Sequence, residues 1–249
     1  KKSMPTSRES FATAVVDNVI YAIAGYRFKL EGVYERTDKV EAYDTVSDLW
    51  TTKASFPYGT SDIASVAVED TVYVVGGSGF STALLAYYAS SNLWTAKADM
   101  LYGRDAIACV AVGDTLYAIG GRDPGYVASQ KVESYHIPSN LWIRENDLPT
   151  PRQAAMSALI GTVIYIMGGN GNESSVRKTI NAMDVSNREY EENTLVIKYT
   201  LWPNLSRLYR DNLIDYVVGV GDVYIYSEGK LNKVIAYTNI DNSGWKEVT

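Results

Sequence analysis

The chain has one cysteine, Cys109, and one histidine, His136, among its 249 residues. A single thiol excludes an internal disulfide and a cysteine zinc cluster, and a single imidazole leaves few ways to build a transition-metal site. No metal and no cofactor are therefore expected. No apolar run approaches the roughly 18 residues needed to cross a bilayer as a helix, so no membrane insertion is expected. Helical periodicity with caps is missing over any useful length. One-sided charge is missing too: 23 Lys and Arg face 29 Asp and Glu, a formal net charge of −6. That mild acidity gives no footprint for nucleic acid or an anionic membrane. The chain opens Lys1-Lys2-Ser3, with neither a Met nor the apolar core of a signal peptide. A leader or an upstream domain is compatible with such a start; a cytoplasmic location is the expectation and an extracellular one the alternative.

Tyrosine is abundant, with 20 copies beside five Trp, and it recurs in register. The stretches "VDNVIYAIAG" (16–25), "VEDTVYVVGG" (68–77), "VGDTLYAIGG" (112–121), "IGTVIYIMGG" (160–169) and "VGDVYIYSEG" (220–229) are five copies of one pattern. Each leads to a second: "KVEAYDTVSDLW" (39–50), "LLAYYASSNLW" (84–94), "KVESYHIPSNLW" (131–142), "TINAMDVSNREY" (179–190) and "KVIAYTNIDNSGW" (233–245). From Tyr43, Tyr87, Tyr135 and Met183 the final aromatic falls seven residues on, with Tyr190 standing for Trp in the fourth copy. Runs such as "TVYVV" and "TLYAI" are short, β-branched and apolar on both faces, which suits strands covered on both sides. The glycine pairs lead into turns, "RDPGY", "SGFST" and "NGNES", with no helix following. They read as hinges allowing close backbone approach, not as phosphate cradles.

The apolar strand ending in Gly-Gly, the later Tyr and the Trp at fixed distance closely resemble the kelch repeat over essentially the whole chain. The resemblance implies an all-β fold, a kelch-type β-propeller with four-stranded blades. Five blades are recognisable, at approximately 4–53, 54–98, 99–146, 147–202 and 203–249, in one domain spanning 1–249. Calling the strands of a blade A to D from inside outward, the B–C loops and the D–A links share one face, and the tight A–B turns lie opposite. The chain begins at an A strand and ends after a D strand, so no exchanged closing strand is expected.

Loop length varies on the shared face, as in a scaffold that carries recognition. Its richest loop, "YRFKLEGVYERTD", offers Tyr26, Arg27, Phe28, Tyr34 and Arg36; Tyr58, Tyr102, Arg122 and Tyr126 lie on other loops of that face. Aromatic and Arg side chains favour recognition, and equally they serve as filler between blades. Arg8, Arg104 and Arg152 each precede the inner Tyr of a blade by 13 residues, with Arg210 shifted by one and Thr60 standing for Arg in the second copy. Kelch domains commonly use arginines there for acidic ligand groups, so the resemblance implies an acidic partner. The alternative is that each arginine pairs with a structural carboxylate, Asp62 and Asp105 being candidates.

No catalytic set is evident. One His cannot supply a copper radical oxidase site, and kelch-like sugar isomerases of the sialic-acid type remain only as an alternative with no discriminating motif. His136 reads as a turn residue and Cys109 as small inner-strand filler. Asn172 and Asn204 begin glycosylation acceptor patterns. The 191–204 insert carries "TLVIKYTLW", apolar enough for an extra edge strand that packs on its blade or mediates self-assembly. The resulting expectation is a non-catalytic module that binds a protein or peptide through the B–C and D–A face. The alternative is an extracellular structural or glycan-binding propeller that assembles with other chains.

Overall fold

The computed structural model describes residues 1–29, 33–172 and 178–186, together with the strand backbones 215–219, 222–227, 230–234 and 246–248. Among the described residues there is no helix. In the first repeat β1 (Ala12–Val16), β2 (Val19–Ile23), β5 (Val40–Asp44) and β6 (Leu49–Thr52) form an antiparallel sheet in that order. Between β2 and β5 the rich loop folds into a hairpin of its own, β3 (Tyr26–Lys29) against β4 (Val33–Arg36). The second repeat gives β7 (Ala64–Val68), β8 (Thr71–Val75), β9 (Leu84–Tyr88) and β10 (Leu93–Ala96); the third gives β11 (Ala108–Val112), β12 (Thr115–Ile119), β13 (Val132–His136) and β14 (Leu141–Arg144). In the fourth, β15 (Met156–Ile160), β16 (Val163–Met167) and β17 (Ile180–Asp184) are joined by β21 (Lys246–Val248). A second compact unit, Ser186–Ser243, holds the three-stranded sheet of β18 (Asp215–Gly219), β19 (Asp222–Ser227) and β20 (Lys230–Val234). The four four-stranded sheets of the first unit are arranged as in a kelch-type β-propeller, and the second unit by itself is a three-stranded antiparallel sheet.

One expectation is corrected here. The outer strand of the fourth sheet comes from the last residues of the chain, Ala182 pairing with Lys246 and Ile180 with Val248. The outer edge of β17 offers a row of backbone donors and acceptors, and any extended segment can pair with them whatever its side chains. The fourth repeat's own final aromatic, Tyr190, and the 191–204 insert lie outside the described residues.

Neighbouring blades are joined by apolar cores. Tyr21 and Ile23 of β2 meet Val72 and Val74 of β8 in one core, and Tyr117 and Ile119 of β12 meet Ile164 and Ile166 of β16 in another. Strands β8 and β12 are buried at every position, as their two-sided apolar runs require.

Around the inner edge a second set of contacts repeats. The Asp62 N–H donates to Ser10 O (2.9 Å), the Ala106 N–H to Asp62 O (2.8 Å) and the Ala154 N–H to Ala106 O (2.9 Å). All four residues take left-handed φ, between 49° and 54°. Towards the outside, Asn92 Oδ1 accepts from the Ala54 N–H (2.8 Å) and the Tyr87 hydroxyl (2.7 Å), while the Trp94 indole donates to Ala54 O (3.0 Å). Asn140 and Trp142 hold Ala98 in the same way. In the first blade Asp48 and Trp50 hold the backbone of Lys2. The Trp of the repeat and the Asn or Asp two residues before it thus clamp a backbone, and the Tyr holds that Asn or Asp in place.

The glycine pair acts between blades. The N–H groups of Gly25, Gly77 and Gly121 donate to the carbonyls of Thr60, Arg104 and Arg152 in the following link. At Gly121 φ is +99°, and a Cβ would stand 2.7 Å from Asp105 O. Gly121→Ala is therefore expected to lower unfolding free energy by about 2 kcal/mol or more through strain and steric conflict, measured by urea titration.

Candidate functional site

The structure brings the B–C loops and D–A links together on one end of the sheets. Thr60 N donates to Thr37 O (3.4 Å), Arg104 N to Ser81 O (3.2 Å) and Arg152 N to Ser129 O (3.1 Å), so each link lies against the B–C loop of the blade before it.

Within that face the arginines turn inward. Arg104 Nη1 donates to Gly120 O and Lys131 O, both at 2.6 Å, and Nη2 donates to Glu133 Oε2 at 2.6 Å. Arg8 makes the equivalent bonds to Ala24 O, Lys39 O and Glu41, and Arg152 to Gly168 O, Thr179 O and Asn181 Oδ1. Each guanidinium ties the end of strand B to the start of strand C. The side chain of Arg8 and the whole of Arg104 and Arg152 have 0% exposure. The expected ring of ligand-holding arginines is thus corrected for these three, because a strand-C side chain and two carbonyls already engage them. Arg210 lies outside the described residues. Burial pulls the Arg104 guanidinium down, opposed by Glu133, and pushes the Glu133 carboxyl up, opposed by Arg104.

The expected partners also change. Asp105 pairs with Arg122 through two 2.8 Å bonds, and Asp62 accepts from the Ser61 hydroxyl. The true partners had a sequence signal. Two residues before the strand-C Tyr the chain has Glu41 and Glu133 where the link carries Arg, but Leu85 where it carries Thr60. The fourth blade keeps the pattern with an uncharged acceptor, Asn181 opposite Arg152, so the guanidinium and its side-chain acceptor are absent together only in the second blade.

The remaining candidates fall into three clusters. On the hairpin, Phe28 packs edge-on to Tyr34 (5.4 Å between centroids), Arg36 lies over the Tyr26 ring (5.7 Å), and Arg27 pairs with Glu35. In the third blade, Arg122 lies over Tyr126 (5.5 Å), which also meets Phe80 of the second blade (5.1 Å). At the links, Tyr58 packs on Phe56 (5.0 Å) and Tyr102 is flanked by Lys131 and Arg144. Phe80, Lys131 and Arg144 were missed by sequence reading, since nothing in the spacing separates them from ordinary loop and strand-end residues.

His136 hydrogen-bonds Ser139 in the C–D turn (2.8 Å), and burial lowers its pKa. Cys109 sits on β11, half-buried, and burial pushes its thiol up to about 12. Asn172 is exposed, and its side-chain oxygen accepts from the Ala128 N–H; Asn204 is outside the described residues. Among the described residues no group of three or more His, Cys, Asp or Glu could hold a metal ion.

Four-stranded antiparallel sheets packed face to face, with their variable loops gathered at one end, define a β-propeller. The kelch motif is matched at residues 7–57 and 103–149, and these two stretches are similar to kelch repeats. It is 35% identical over 80 residues to Kelch-like protein terF of Aspergillus terreus, covering 31% of this chain and 17% of that protein. To Kelch-like protein 35 of Mus musculus it is 35% identical over 74 residues, covering 30% and 12%. To Kelch repeat and BTB domain-containing protein 1 of cowpox virus it is 38% identical over 71 residues, covering 28% and 12%. The chain therefore matches under a fifth of the length of each of these relatives. Among solved structures, YjhT is similar in fold, with a TM-score of 0.53 at 15% identity, covering 73% of this chain and 82% of that one.

Two outcomes are expected. Arg104→Ala, which strands the buried Glu133 carboxylate, is expected to cost about 3–5 kcal/mol. The double variant Arg104→Thr/Glu133→Leu, which copies the Thr60 and Leu85 of the second blade, is expected to recover most of that loss in the same urea titration. Cys109 is expected to be unreactive towards an aromatic disulfide reagent at pH 8 in the folded chain and to react stoichiometrically in denaturant.

Proposed function

We propose that the chain is a non-catalytic, cytoplasmic binding module that recognises a protein or peptide through its B–C and D–A loop face. The carrying observation is the placement of its exposed aromatics. Among the described residues the exposed Phe and Tyr side chains are Phe28, Tyr34, Tyr58, Tyr102 and Tyr126, and all five belong to B–C loops or D–A links. Phe28, Tyr34 and Tyr126 are 56%, 59% and 73% exposed, although a propeller has ample room for aromatics between its blades. Exposed aromatic area gathered on one face is the usual mark of a recognition surface. The kelch-like names of the relatives agree with an interaction role.

The preference for acidic partners rested on the inner arginines and is not carried forward, since Arg8, Arg104 and Arg152 are engaged inside their blades. A sugar-isomerase reading relied on the same guanidiniums. An extracellular, glycan-bearing form keeps one support, the exposed Asn172, and the intact mass of native material would reveal a glycan there.

Peptides selected from a displayed random library on the whole chain test the binding reading. Phe28→Ser and Tyr126→Ser are each expected to weaken the selected peptides roughly tenfold or more. Val46→Ser and Leu93→Ser, on the opposite face, are expected to leave them within about twofold. Equal losses from both pairs would place recognition elsewhere.

A further inference from the structure

Tyr58 and Tyr102 hold equivalent places in successive links, "FPYGT" and "MLYGR", and are similarly exposed, at 41% and 38%. Their surroundings differ. The Tyr58 ring rests on Phe56. The Tyr102 ring has two cations over it, Lys131 Nζ at 5.0 Å and Arg144 Cζ at 5.3 Å from its centroid. Arg144 Nη1 also donates to the phenol oxygen at 3.2 Å. No other tyrosine among the described residues has two cations over its ring.

The backbone beneath is anchored. Leu101 N donates to Glu133 Oε1 (2.8 Å), the carboxylate that also takes Arg104. The phenol is therefore presented from a fixed point, while its cations arrive from β14 and the B–C loop of the same blade. Each cation has only a modest hold elsewhere. Lys131 meets Asp123 and Arg144 meets Asp147, pairs whose side chains keep 20–42% exposure. The Arg144–Asp147 pair is exposed and such pairs contribute little, while the Lys131–Asp123 pair is half-buried.

We propose that Tyr102 is a phosphoacceptor tyrosine whose phosphate is held by Arg144 and Lys131. The phenol oxygen attacks the γ-phosphorus of a nucleoside triphosphate bound to a tyrosine kinase. The bond from that phosphorus to the β-phosphate oxygen breaks, the nucleoside diphosphate leaves, and the phenolic proton passes to the kinase's base. The product carries about −1.5 to −2 charges and three strong acceptor oxygens, beside a guanidinium already within hydrogen-bonding distance of the oxygen that carries them. Charge-assisted bonds from Arg144 and Lys131 then replace their contacts with Asp147 and Asp123. At Tyr58 the same group would find Phe56 against the ring. The proposal goes beyond the binding reading and stands without it. If that reading also holds, the modification places a dianion on the recognition face.

The whole chain, treated with a broad-specificity tyrosine kinase and magnesium ATP, is mapped by peptide mass spectrometry and titrated by ³¹P NMR. Phosphate on Tyr102 is expected to lose its second proton at least roughly half a pH unit below the ordinary value near 6. In Arg144→Gln/Lys131→Gln that midpoint is expected to return to the value of phosphate on Tyr58 or on an unfolded tyrosine peptide. Failure to label Tyr102, or a midpoint indifferent to the two substitutions, overturns the proposal.

Discussion

The second and third blades have central strands that are apolar and buried on both faces, and this constraint shapes the rest of the fold. A sheet whose strands are buried at each position, as β8 and β12 are, cannot stand in water without a neighbour on either side. Stability thus resides between blades more than within them, as in other repeat architectures. The polar contacts obey the same logic. Inner-edge bonds run from Ala154 to Ala106 to Asp62 to Ser10, and the outer clamps of Asn92 with Trp94 and Asn140 with Trp142 reach back to the preceding link. Each supplies the backbone partners that a buried link would otherwise lack.

That arrangement sets what the loop face can offer. The links must be pinned where the chain passes from one blade to the next, and the guanidiniums of Arg8, Arg104 and Arg152 do this through their Nη groups. The glycine pairs remove the Cβ atoms that would collide with the same links. What remains for the proposed recognition is carried above this layer, on the hairpin aromatics, the Arg122 and Tyr126 stack, and the tyrosines of the links.

The architecture was legible because its cause is periodic. Repeated strands, glycine pairs and Tyr-to-Trp spacing each recur at fixed intervals, and the structure uses all three as that recurrence implies. The site was only partly legible. The face could be placed by counting antiparallel strands, but the inner arginines could not be assigned from their own spacing, since a ligand clamp and a structural tie require the same position. Their role was written elsewhere, in the polar acceptors Glu41, Glu133 and Asn181 against Leu85. The exchange at the outer edge of β17 left no signal at all, because backbone pairing there is indifferent to side-chain identity.

The outer clamp has a consequence for how such a molecule can change over generations. Asp48 and Trp50 hold Lys2 through its amide and carbonyl, as Asn92 with Trp94 holds Ala54 and Asn140 with Trp142 holds Ala98. A clamp that reads only the peptide group accepts lysine and alanine alike. Blades built on it are interchangeable modules: the junction between any two imposes no particular residue at the gripped position, so duplicating or losing a repeat leaves a joint that the neighbouring blade already knows how to close.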